Sequence, residues 1–235
     1  MNILAVLAHP DDEAFGISGT IKCLTNAGHT VSFIETTDGS AGQVHPLASG
    51  KLKVLGSVKA LRRQELRESA AILGVTNIHY LDYSDGSLNN QHIFDNDLVE
   101  KIKEIIVKEK PEVVLAYDHT GISLHLDHIA TSLAASKAAY ECRDIVDKVF
   151  LFVAPEEYKP RYPYVYYVPF PATHVVDISQ VVTFKEKSIK AHQSQGYDWE
   201  RFFEKENNTA LQEERFFLSQ DRGRNKNIFA IFKEL

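Results

Sequence analysis

The 235-residue sequence predicts an α/β fold with a mostly parallel sheet and helices on both faces. Three observations predict it. Short β-rich runs alternate with stretches of helical periodicity. The first run is apolar on both parities, as a central parallel strand covered on both faces should be. Polar clusters fall where the strands end, which is where such sheets hold ligands.

Each element follows in order. NILAVLA (Asn2–Ala8) reads as the first strand. Asp12–Asn26 carries Phe15, Ile17, Ile21 and Leu24 at helical spacing and stops at Ala27-Gly28. TVSFIET (Thr30–Thr36) is the second strand, and Asp38–Ser57, rich in Gly, Ser and His, reads as a long loop. Val58–Leu73 is a helix ending at Gly74. Ile78–Leu81 is a short strand before the turn-like YSDGS. Asp95–Lys108 is a helix with Asp95 as N-cap and Pro111 beyond its end. Glu112–Tyr117 is a strand, His125–Cys142 an Ala-rich helix, and Lys148–Val153 a strand. Pro155–Pro171, rich in Pro and Tyr, reads as a lid or an interface segment. Val181–Gln195 is helical, and Ile228–Phe232 reads as a last strand. With no repeat, low-complexity tract or linker, residues 1–235 are read as one domain.

The net charge of −6 disfavours nucleic acid and anionic membranes as partners, since both need a basic face. The two cysteines, Cys23 and Cys142, fall in helical stretches and suggest reduced, packed thiols. The N-terminus has no positively charged start or cleavage site, and no stretch approaches the ~20 apolar residues of a membrane span. The expectation is a soluble, cytoplasmic protein.

Three polar clusters fall at strand ends: His9-Pro10-Asp11-Asp12-Glu13, Asp38–Gly42, and His119 through His125-Leu126-Asp127-His128. A doubly wound topology brings the three into one crevice. His9, Asp12 and His128 offer two imidazoles and one carboxylate, which suits a catalytic zinc with an open position for water. Magnesium or calcium would want more oxygens. Asp11, beside the ligand Asp12, is the candidate base. His125, three residues before His128, can stabilise an oxyanion or donate to a leaving amine. Asp127 can orient a histidine from behind. Glu13 charges the helix start or supports the site. Taken singly, HxDH is a weak signal, DGSAG is a turn, and a histidine at a strand end is most often structural. The combination carries the argument.

AHPDDE (Ala8–Glu13) after a first strand, with HLDH after a later one, resembles the LmbE-like family of zinc-dependent N-deacetylases, also called PIG-L. TTDGSAG, RRQELRESAAILGV (Arg62–Val75), YLDYSDGSL (Tyr80–Leu88) and KSIKAHQSQ (Lys187–Gln195) extend the resemblance from residue 2 to about 196. It implies a Rossmann-like three-layer sandwich and removal of the N-acetyl group from a small GlcNAc-containing substrate, an amino sugar or glycoside such as GlcNAc-malate. It implies one Zn2+ per chain on His9, Asp12 and His128, with Asp11 as base and His125 at the oxyanion. Arg62 and Asp85 would contact substrate hydroxyls; their plainer readings are a helix surface charge and a turn residue. Relatives are often homo-oligomers, some hexameric. The chain departs from the family at Leu126, where most members have Pro, and at Ser40, where many have Glu. The second departure bears on which substrate is held.

Tyr162, Tyr164, Tyr166 and Tyr167 suit stacking on a sugar or a subunit interface equally well. His45 and His119 can line the mouth but are not taken as ligands. Two other classes compete. One is a metal-dependent hydrolase of another amide or ester. The other is a non-catalytic Rossmann-like binding module, disfavoured because HPDDE stands where a G-x-G-x-x-G would be and its acids would repel a pyrophosphate.

Overall fold

The N-terminal apolar run forms β1 (Asn2–Leu7), buried from Ile3 onward. Ile3, Ala5 and Leu7 pack into one core layer, Leu4 and Val6 into the other, as the two-residue period of a strand requires. The computed structural model describes residues 1–88, 96–155, 168–204 and 208–235. β1 pairs in parallel with β2 (Thr30–Thr37) on one side and with β4 (Val113–Tyr117) on the other. β3 (Asn77–Tyr83) continues the sheet beyond β2, and β5 (Lys148–Val153) beyond β4, both in parallel. Then β7 (Glu213–Asp221), β6 (His174–Asp177) and β8 (Lys233–Glu234) add on antiparallel. The order is β3-β2-β1-β4-β5-β7-β6-β8.

Helices cover both faces and complete a three-layer sandwich. One layer holds α1 (Asp12–Gly16), α2 (Ser18–Asn26), α4 (Val58–Leu73) and α8 (Val182–Ala191); Ile21, Leu24, Leu66, Leu73 and Phe33 build its core. The other holds α5 (Asp97–Glu109) and α7 (Leu126–Glu141), with Ile102, Ile106 and five alanines of α7 against the sheet. The chain runs outward from β1 to β3 and returns to β4 beside β1, so the strand order reverses between β1 and β4. The loops after these two strands flank the expected ligand crevice.

Local sequence explains most boundaries. The Ser57 hydroxyl caps α4 by accepting from Ala60 N–H at 3.1 Å, and Gly74 ends it at φ 83°. Several expectations need correction. The helix expected over Asp12–Asn26 breaks at Ile17 (φ −138°), and a buried carboxylate from β7 meets the new helix start. The loop expected over Asp38–Ser57 contains α3 (Ser49–Leu55), because LKVL gives one helical turn ended by Gly56 at φ 77°. Ile228–Phe232 is not a strand: Asn227–Ala230 is a 3-10 turn, its Ile228 and the Phe232 that follows it plug the core, and the strand comes at Lys233–Glu234. β6 and β7 were not anticipated. Asp95 and the four tyrosines Tyr162, Tyr164, Tyr166 and Tyr167 lie outside the described residues. Among the described residues, no helix is long and apolar enough to cross a membrane.

Candidate metal centre and catalytic cleft

β1 ends at Leu7, and a tight turn returns Asp12 N–H to the His9 carbonyl at 3.1 Å. That turn brings the side chains of His9 and Asp12 to one point. The third contribution comes from across the switch point. β4 ends at Tyr117, a single turn α6 (Gly121–Leu124) follows, and His128 projects from the first turn of α7. His9 Nδ1 and His128 Nε2 lie 2.9 Å apart, His128 Nε2 is 3.3 Å from Asp12 Oδ1, and His9 Nδ1 is 3.6 Å from Asp12 Oδ2. Three donors around one cation at bonds of ~2.0–2.1 Å stand ~3.3–3.4 Å apart in a tetrahedral arrangement. The observed separations bracket that value, so the donors fit one divalent cation.

The electrostatics agree. Burial pushes the His128 imidazole down to about 4; Asp12 opposes this and His9 adds to it. His128 is therefore a neutral ring with a lone pair to offer near neutral pH. Burial opposes ionisation of Asp12, yet His128, His9 and the Tyr117 hydroxyl hold its carboxyl well below the usual range. His128 Nδ1 donates to the Gly121 carbonyl at 2.9 Å, which leaves Nε2 facing the other donors. Gly121 sits at φ 60°, and a Cβ there would meet the His128 Cβ at 2.5 Å, so only glycine lets the loop approach so closely.

The remaining expected residues gather around this point. Asp127, fully buried at the start of α7, accepts from His9 Nε2 at 3.0 Å and from the N–H groups of Gly86 and Leu88 at 2.7 and 2.9 Å. Asp127 thus fixes the His9 ring from behind. Asp85, in the turn after β3, lies 3.2 Å from His9 Nε2 and accepts from Ala41 N–H. Burial raises the Asp85 carboxyl, but His9, the Ala41 N–H and Arg62 together bring it down to about 2. His125 caps α7: its Nδ1 accepts from Asp127 N–H at 3.2 Å. In that tautomer the proton sits on Nε2 as a free donor. Its ring meets His9 edge-on at 4.7 Å.

Asp11 adopts φ 138°, ψ −19°. Its carboxylate is 3.0 Å from the Arg62 guanidinium, and burial pushes it up to about 7, with Arg62 opposing and Asp12 adding. Arg62, expected at a substrate hydroxyl, is 3% exposed and also donates to the Pro10 and Gly39 carbonyls. In this structure its guanidinium is taken up by the Asp11 carboxylate and these two backbone carbonyls. His45 and His119 stand outside the donor set: His45 packs on Tyr197 and His119 on Phe170.

Sequence reasoning missed Tyr117. Its hydroxyl donates to Asp12 Oδ2 and accepts from Ala8 N–H at 2.8 Å, and its ring stacks on His128 at 4.5 Å. A polar-tipped residue closing a buried strand at the ligand edge of the sheet was the available signal. His9, Asp11, Asp12, Arg62, Asp85, His125 and His128 all line one open cavity of about 1230 Å3. Its far wall is built by Phe15 and by Tyr197, Arg201 and Phe202 of α9 (Gly196–Phe203).

Comparison with known proteins shows which family the chain resembles. The family model described as PIG-L, GlcNAc-PI de-N-acetylase, matches residues 4–139. The diacetylchitobiose deacetylase of Thermococcus kodakarensis is 33% identical over 199 residues, 82% of this chain and 69% of the relative. The probable N-acetyl-alpha-D-glucosaminyl L-malate deacetylase 2 of Bacillus anthracis is 26% identical over 203 residues, covering 83% and 81%. Among solved structures, the N,N'-diacetylchitobiose deacetylase of Pyrococcus horikoshii superposes with a TM-score of 0.69 at 27% identity, over 93% of this chain and 84% of that one. From its motifs, its sheet and these relatives, the chain belongs to the PIG-L family of N-deacetylases, the LmbE-like enzymes.

Proposed function

We propose that residues 1–235 act as one catalytic domain, a zinc-dependent hydrolase that removes the acetyl group from a small GlcNAc-containing amino sugar or glycoside. The convergence of His9, Asp12 and His128 within 2.9–3.6 Å of one another carries the reading. These three residues hold the zinc. A bound zinc supplies a water that is nucleophilic near neutral pH and a Lewis acid for the acyl oxygen. Asp11, next in sequence to the ligand Asp12 and lining the same cleft, accepts the proton of the attacking water and returns it to the leaving amine. His125 offers its Nε2–H to the acyl oxygen as negative charge builds there. Asp127 holds His9, and Arg62 holds the Asp11 carboxylate. Asp85, at the edge of the cleft, accepts from a sugar hydroxyl. The cavity exceeds the usual size of a small-ligand site, so it has room for a group attached to the sugar.

The test is acetate release from GlcNAc, GlcNAc-malate, GlcNAc-inositol and diacetylchitobiose, with metal analysis of the same samples. Chelation should abolish release, and added zinc should restore it. His9→Ala should lose the metal and fall by more than ~100-fold, since even outer partners of metal ligands are worth 10–100-fold. Asp11→Asn should keep the metal and fall ~100- to 10,000-fold, the span ascribed to general acid–base catalysis. Full activity in metal-free wild-type protein would end the proposal.

A further inference from the structure

Behind Asp11 lies a buried polar cluster that the metal donors leave unused. The Asp11 backbone conformation is rare for any residue with a side chain, and such a conformation persists only where the surroundings over-determine it. Its carbonyl accepts from the N–H groups of Ala14 and Phe15, and two side chains reach the residue. Arg62 holds the carboxylate and the Pro10 carbonyl. Glu13 holds the backbone, its Oε2 accepting from Asp11 N–H at 3.1 Å.

Glu13 is itself held. Its Oε1 accepts from His192 Nε2 at 2.6 Å and from the Ser69 hydroxyl at 2.5 Å, and Ser69 shares a hydrogen bond with Ser188 at 2.7 Å. Glu13, Ser69, Ser188 and His192 are all fully buried. A carboxylate in such a place is costly unless paired, so this cluster is a built feature. It does not cap a long helix: α1 has five residues, and no side chain caps its N-terminus. Ser188 lies on α8 and His192 just beyond it, both within the KSIKAHQSQ stretch. Two residues further on, Ser194 donates to Glu65 through its N–H and hydroxyl at 2.9 and 2.5 Å. That contact ties the same segment to α4 beside Arg62, independently of His192.

We infer that Glu13 and His192 are positioning residues for the deacetylation: the His192–Glu13 contact clamps the strained Asp11 backbone and so aims the Asp11 carboxylate into the cleft. The inference rests on the reading of Asp11 as the base.

A paired substitution tests it. Glutamine can place an N–H near the position of His192 Nε2, whereas asparagine is too short. His192→Gln should keep kcat within about threefold, while His192→Asn and Glu13→Ala should lower kcat ~10- to 100-fold with KM and metal content unchanged, the scale expected when a catalytic group is displaced by about an ångström. Hydrogen exchange gives a readout that needs no activity. The peptide spanning Asp11 should exchange faster in His192→Asn than in wild type and return to the wild-type rate in His192→Gln. Equal kcat in the Gln and Asn variants, unchanged exchange, or loss of metal in step with activity would overturn the clamp. If the wild-type protein releases no acetate from any GlcNAc substrate, the functional reading fails instead, and the exchange data still decide whether the clamp exists.

Discussion

Tyr117 places two constraints on one oxygen. It donates to Asp12, a proposed zinc ligand, and accepts from the buried N–H of Ala8, the residue before His9. Tyr117→Phe keeps the ring against His128 but removes both bonds. The Ala8 N–H is then left without its acceptor, a loss of about 1–3 kcal/mol in stability. Metal affinity should fall by ~10–100-fold, as it does when outer partners of ligands are removed, and competition with a graded chelator would measure it. An unchanged affinity would mean that Asp12 is oriented by its own turn alone. At this scale the sequence was legible where chemistry was concentrated in short runs. AHPDDE and HLDH each carry several groups of the right type at a strand end, and the fold brings both runs together. Tyr117 was not legible, because a tyrosine closing an apolar strand looks the same whether its hydroxyl meets water or a metal ligand. Glu13 was legible as charge but not as a contact, since its partner His192 is 179 residues away.

Helical periodicity runs unbroken from Asp12 to Asn26, yet the structure divides it into α1 and α2 at Ile17. The cause lies on an element whose pairing cannot be read locally. Glu214 of β7, 4% exposed, accepts from Gly19 and Thr20 N–H at 3.0 and 2.7 Å, a carboxylate at the first turn of α2. The fully buried Lys185 of α8 donates to Glu214 at 2.6 Å and to the Phe15 carbonyl of α1 at 3.0 Å. Gly19 lets the second helix close on Ile178, since a Cβ there would come within 2.6 Å of it. One ion pair therefore joins α1, α2, α8 and β7. Glu214→Ala should cost about 3–5 kcal/mol in urea unfolding, because it strands a buried ammonium. Replacing both residues, as Glu214→Leu with Lys185→Met, should recover much of that. A single variant within 1 kcal/mol of wild type would show the pair to be dispensable. The parallel strands β1–β5 could be read from apolar runs alternating with helices. β6 and β7 could not, because β7 is only half buried and its alternation resembles a surface segment.

At the scale of the whole molecule, most charge among the described residues lies at the surface or meets a partner, and Glu35 departs from this. It is fully buried on β2, on the same strand face as Phe33, in the layer that packs against α2, α4 and α8. Among the described residues neither of its carboxylate oxygens has a hydrogen-bond partner. Burial pushes its carboxyl well above the usual range, and Asp12 and Glu13 push it further the same way. Below the unfolded pKa of ~4.3 both states carry the proton, and Glu35 contributes no pH slope. As pH rises above that value the unfolded chain releases the proton while the folded chain keeps it. Stability therefore falls with pH until the raised folded pKa is passed. Glu35→Gln is neutral at every pH and lacks this slope. Urea unfolding of chelator-treated wild-type and Glu35→Gln proteins at a series of pH values from acid to mildly alkaline should give curves that lie close together at the acid end. They should separate progressively as pH rises, with the variant the more stable. Two curves parallel across the range would show that Glu35 is as ionised in the fold as in the unfolded chain, and that solvent or a cation reaches it there.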